Sequence, residues 1–153
     1  MTMETTRRPR ILVPVDGSPE AAQAVPYAER LLAPGGEIVV ACVVPGEARD
    51  PGPGRDDPSL HDLVATHEFA ARDAVVEAAG LVRDAGQDVR TEIVFGDPAE
   101  QIVRLAEAEQ VELIVMTTQG RGAAGRTIFG SVSRKLVRRS PTAVLVVRGG
   151  AEA

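Results

Sequence analysis

The chain has 153 residues, 44% of them hydrophobic, and a net charge of −5. That length fits one domain able to bury roughly 70% of its unfolded surface, and no apolar stretch approaches the roughly 18 residues of a membrane-spanning helix. Aromatic content of 3% with no Trp makes the core aliphatic and disfavours base stacking on aromatic platforms. The single cysteine, Cys42, lies in an apolar run as a buried small hydrophobe; one cysteine excludes an internal disulfide and fits a reducing cytoplasm. Residues 1–10 carry no hydrophobic stretch after their arginines, so they are not a secretory signal, and they read as a solvated leader rather than a nucleic-acid arm.

Residues Arg10 to Val15 read as the first strand, and Asp16-Gly17-Ser18 as a turn. Ser18, Pro19 and Glu20 supply an N-cap, a first helical residue and a first-turn acid. The helix that follows has an apolar face of Ala21, Ala24, Val25, Ala28, Leu31 and Leu32, and Pro26 inside it is a source of bending. Pro34-Gly35-Gly36 ends it. Glu37 to Val44 is a second strand, apolar enough to be covered on both faces. From Pro45 to Pro58 the density of proline and glycine excludes regular structure and gives an exposed loop, read as a linker rather than a lid.

A long helix is expected from Ser59 or Leu60 to about Ala85, closed by Gly86, with Phe69, Ala70, Val76, Ala79 and Leu81 as its apolar contacts. His61 and His67, six apart, fall on nearly opposite faces and do not form a metal pair; Asp62, Glu68, Asp73 and Glu77 read as a solvated face. Asp88 to Phe95 is a third strand in which Val89, Thr91, Ile93 and Phe95 alternate. Asp97 caps, and Pro98 and Glu100 begin, a helix that turns Ile102, Val103, Leu105 and Ala106 inward and ends near Glu109.

The most informative stretch is Val111 to Val147. A buried strand, Val111 to Met116, leads into a loop containing Gly120, Gly122, Gly125 and Gly130. The helix Ser131 to Arg139 then places Val132, Leu136 and Val137 on one face, Ser140-Pro141 stops it, and Thr142 to Val147 is a last strand. Strands alternating with helices define an α/β domain with a parallel sheet covered on both faces. Ligands of such sheets sit beyond the carboxyl ends of the strands, here Pro14-Val15-Asp16, Val43-Val44 and Met116-Thr117.

The glycine loop points to an anion. Gly130, Ser131, Val132 and Ser133 would offer the unpaired donors of a helix N-terminus. Six basic residues (Arg121, Arg126, Arg134, Lys135, Arg138, Arg139) and no acid lie between Thr117 and Arg139. Gly120 to Gly125 matches the dinucleotide pattern, but the acid needed about 20 residues on is missing. Gly125 to Gly130 has P-loop spacing, but Ser131 stands where its lysine must be.

Gly120 and Gly130 are separated by nine residues, and Ser131 follows. With Ile11-Leu-Val-Pro-Val-Asp-Gly-Ser18 and the closing run Ser131 to Val147, this resembles the universal stress protein family, and specifically its ATP-binding members. Thr117 stands where that motif has its first glycine. The resemblance covers about residues 9 to 148. It implies a single three-layer, doubly wound domain over 10–148 behind a leader of residues 1–9. The implied fold is adenine nucleotide alpha hydrolase-like, with a five-stranded parallel sheet in the order 3-2-1-4-5. Carried across, the adenine and ribose contacts fall on Pro14, Val15, Asp16, Val43 and Met116, with Thr117 at the departing position. The phosphate contacts fall on Gly120, Arg121, Gly130, Ser131, Val132 and Ser133.

Plainer roles stand beside these. Asp16 also suits a turn cap, Gly130 a turn glycine, and Ser131 or Ser133 an N-cap. The family implies ATP, with Mg²⁺, bound by a cytoplasmic stress regulator or sensor, and a homodimer through the edge strand Thr142 to Val147. Two other functions fit the same residues: a slow ATPase or self-phosphorylating protein using Ser131 or Ser133, and an interaction dimer that binds no nucleotide. No second carboxylate or base is evident beside the loop, which favours binding over catalysis. DNA binding is disfavoured because the arginines divide between the loop and one helix face.

Overall fold

The computed structural model describes residues 7–45, 58–118 and 130–148. Five strands are present: β1 (Arg10–Val15), β2 (Glu37–Val44), β3 (Asp88–Phe95), β4 (Leu113–Thr117) and β5 (Ala143–Val147). The helices are α1 (Pro19–Ala22), α2 (Ala24–Leu31), α3 (Pro58–Asp84), α4 (Pro98–Ala108) and α5 (Ser131–Arg139). All strand pairs are parallel, and the sheet order is β3-β2-β1-β4-β5, as the resemblance implied.

Strand alternation divides the interior into two layers. Ile11, Val13, Val15, Ile38, Val40, Cys42, Val44, Val115 and Val147 face α1, α2 and α3. Leu12, Val39, Ala41, Ile114 and Met116 face the other way, onto Ile102, Leu105 and Ala106 of α4 and Leu136 of α5. β1, β2 and β4 lie between both layers, which is why they read as nearly continuous apolar runs.

Four expectations need correction. The first helix is two, broken at Gln23: Pro26 has no N–H to give the carbonyl of Ala22, and its ring crowds that carbonyl. Leu31, expected on the buried face, is exposed. In α3, Phe69, Val76 and Leu81 are also exposed, and the layer is closed by Ala71, Ala74, Val75, Ala78, Ala79 and Val82. Small residues there let the helix lie close to the sheet, so the largest hydrophobes were a misleading guide to its inner face. Finally, Val137 of α5 is exposed while Leu136 is buried and Val132 half-buried beside it.

The amino ends of the strands are held by charge. Glu37 accepts hydrogen bonds from Arg8 at 3.2 Å and Arg10 at 3.0 Å, and lies 3.8 Å from Arg90. Arg8 also pairs with Asp88, and Arg90 with Glu109. Arg7 donates to the carbonyl of Gln110. Arginines that composition reads as a solvated tail are thus fastened to the end of the sheet opposite the candidate site.

Candidate functional site

The order β3-β2-β1-β4-β5 reverses between β1 and β4. From β1 the chain winds outward to β2 and β3 through helices on one face. It then returns by α4 on the other face to place β4 on the far side of β1. Connections leave the carboxyl ends of β1 and β4 in opposite directions, the arrangement at which doubly wound sheets form their ligand crevice.

Register decides which expected residues can share that crevice. Pro14 pairs with Ala41, and Val43 is two residues further along β2, so their side chains lie on the α4 and α5 side. Met116 is on that side too. Pro14, Val43 and Met116 come together on one face, whereas Asp16 lies just past the strand, half-buried.

Val15 and Thr117 do not join them. Val15 is in register with Cys42, and Thr117 with Val147, whose side chains belong to the opposite layer. Both residues are buried. Thr117 stands at the motif's first glycine position, yet its Cβ is turned away from Pro14, Val43 and Met116.

On the same side as Met116, α5 begins at Gly130, an extended residue (φ −65°, ψ 162°) with no side-chain cap. Its N–H donates to the carbonyl of Thr118 at 2.9 Å, and its own carbonyl accepts from Arg134 N–H at 3.0 Å. A Cβ at Gly130 would stand 3.4 Å from the Thr118 oxygen, in ordinary contact, so a larger branched side chain rather than a single methyl would crowd it. Ser131, Val132 and Ser133 occupy the first three helical positions, whose N–H groups have no partner within the helix. Ser131 is exposed; Ser133 is buried, and its hydroxyl donates to the Gly130 carbonyl at 3.0 Å. Gly120, Arg121 and Arg126 lie outside the described residues. Arg134, Lys135, Arg138 and Arg139 all stand on the exposed side of α5, with Lys135 3.9 Å from Asp97.

Asp16 does have the turn role. Its Oδ1 accepts from the backbone N–H of Ser18 at 2.9 Å and from the Ser18 hydroxyl at 2.5 Å. Ser18 Oγ in turn accepts from Ala21 N–H at 3.1 Å as the cap of α1. The carboxylate therefore shapes the loop at the mouth of the crevice.

Thr118 was not singled out from sequence. It is buried, and besides accepting from Gly130 its N–H donates to the carbonyl of Val147 at 2.8 Å. Two backbone bonds thus connect the start of α5 to the end of β5. A backbone role of this kind leaves no signature in side-chain type.

These features define a doubly wound α/β domain whose switch point lies between β1 and β4, with apolar side chains of β1, β2 and β4 on the same side as a helix N-terminus that has no side-chain cap. The chain belongs to the universal stress protein family, whose model matches residues 7–148. A universal stress protein of Thermus aquaticus is 33% identical over 140 residues, covering 90% of this chain and 97% of that one. The solved structure of the universal stress protein UspA from Lactobacillus plantarum superposes with a TM-score of 0.77 at 30% identity, covering 93% of this chain and 99% of that one. A further solved universal stress protein, in complex with cAMP, matches with a TM-score of 0.68 at 26% identity, covering 95% of this chain and 100% of the other.

Proposed function

We propose that this protein binds an adenine nucleotide, ATP foremost, in the crevice between β1 and β4, and acts as a cytoplasmic stress-response sensor or regulator. The observation that carries the reading is the placing of Pro14, Val43 and Met116 on the same side of the sheet as the uncapped start of α5, with Asp16 just past the end of β1. Pro14, Val43 and Met116 would form apolar walls for the base, and the backbone of Val15 and Thr117 would border it. The Asp16 carboxylate would accept from ribose hydroxyls. The N–H groups at Ser131, Val132 and Ser133, with the Ser131 hydroxyl, would receive phosphate oxygens. Gly120 and Arg121 would complete the phosphate side. Mg²⁺ is expected as the counter-ion of the triphosphate, with Asp16 the carboxylate that would help to hold it.

Self-phosphorylation at Ser133 is disfavoured because its hydroxyl is buried and committed to the Gly130 carbonyl, whereas the Ser131 hydroxyl is exposed. Among the described residues β5 pairs only with β4, so its outer edge is the natural place for a two-fold pairing of copies. The bonds Gly130 to Thr118 and Thr118 to Val147 supply a short path by which occupancy could bias that edge.

The test is to denature the purified protein, identify any released nucleotide by mass spectrometry, and titrate nucleotide-free protein with Mg-ATP, ADP, AMP and cAMP. Co-purifying ATP, or saturable binding tightest for ATP, supports the proposal. No released nucleotide and no binding of any of the four overturns it.

A further inference from the structure

Helix α3 presents an apolar stripe to solvent, directly opposite the face it packs on the sheet. Phe69 is 67% exposed and Val76 63%. At about 100° per residue Val76 and Gly80 lie roughly 20° to either side of Phe69. Gly80 is unusual in its own right. A mid-helix glycine costs about 1 kcal/mol relative to alanine, and a Cβ there would meet nothing within 4 Å, so the fold itself does not require it.

The flanks of the stripe differ in sign. Arg72 and Arg83 lie roughly 60° and 40° to one side, and Asp73, Glu77 and Asp84 roughly 40° to 80° to the other. All five are exposed, and among the described residues none of Arg72, Asp73 and Glu77 has an ion-pair partner. Asp73 and Glu77, like charges four apart, repel within the isolated helix.

We infer that the outer face of α3 pairs with the same face of a second copy, about a two-fold axis parallel to the helix. In that arrangement Phe69 meets Phe69 and Val76 meets Val76. Gly80 lets the axes approach, and each basic flank lies on the partner's acidic flank, as charges flank a coiled-coil seam. An antiparallel pairing is disfavoured because it would set basic against basic and acidic against acidic. The partner is thus specified by charge as well as by apolar surface, and the interface is separate from the β5 edge.

The substituted positions are exposed, so circular dichroism should confirm that each variant folds. By light scattering, Arg72→Glu alone and the Asp73→Lys/Glu77→Lys pair should each halve the wild-type mass. Mixed together, these two variants should associate again, because each repaired flank then meets its opposite. Val76→Cys should form a symmetric disulfide-linked dimer on oxidation, Cys42 being buried. A monomeric wild type, a mass unchanged by either charge reversal, or a mixture that stays dissociated overturns the inference.

Discussion

Asp16 offers the sharpest test of the nucleotide site because its structural and binding roles separate under two substitutions. Asp16→Ala removes both hydrogen bonds that Oδ1 accepts from Ser18, at 2.9 and 2.5 Å. At about 1 kcal/mol for each bond, half-buried, the loss is about 1 to 3 kcal/mol, or a fall in Tm of roughly 3 to 10 °C for a domain of this size. Asp16→Asn keeps an acceptor oxygen for Ser18 and loses only the charge, so its Tm should fall by no more than about a third as much. If the carboxylate also receives ribose hydroxyls, removing that charged acceptor costs about 1.5 to 3 kcal/mol of affinity, roughly a ten- to hundredfold rise in Kd. The assay is calorimetric titration with Mg-ATP beside thermal unfolding without nucleotide. Asn should bind nearly as poorly as Ala while melting nearly as high as wild type. An Asn variant that binds with wild-type affinity would refute direct contact and leave Asp16 a turn former only.

Further expectations concern the rest of the site and the sheet. Gly130→Val should weaken nucleotide binding at least tenfold, because the added atoms crowd the Thr118 carbonyl and the mouth of α5; equal affinity by titration would remove Gly130 from the phosphate side. Gly120→Val should abolish binding with the melting curve unchanged, and unchanged affinity would exclude that loop position. Glu37→Gln, at the hub of Arg8, Arg10 and Arg90, should cost about 2 to 4 kcal/mol by urea unfolding while leaving affinity intact, since it lies at the opposite ends of the strands. Desolvation raises the pKa of Glu29 in the folded chain, so ionising it opposes folding. Glu29→Gln should therefore unfold at slightly higher denaturant at neutral pH. The difference should vanish as pH falls through the folded pKa to below the ordinary carboxylate value of 4.5. A gap that persists in acid would point to another cause.

Sequence by itself determined the local elements wherever one local rule dominated. β1, β2, β3 and α5 begin and end where apolar runs, caps and breakers place them, and Ser18 and Asp97 cap as their side chains and following prolines foretell. Other boundaries shift by a residue or two: β4 spans Leu113–Thr117 rather than Val111 to Met116, with Val111 packed into the second layer, β5 begins at Ala143 rather than Thr142, and α3 begins at Pro58. The sheet order, in contrast, came from resemblance, since alternation of strands and helices alone permits several orders.

Tertiary structure decided what depends on direction. Which side of α3 is buried was settled by how close the helix lies to the sheet, so alanines won over Phe69 and Val76. Composition showed the arginines and acids at the strand starts, but parallel register alone gathers Arg8, Arg10 and Arg90 around Glu37. The same register turns Thr117 toward the layer of Val147 and Met116 toward α5. A linear motif gives positions along a chain, whereas the face a side chain occupies is set by strand pairing across the sheet.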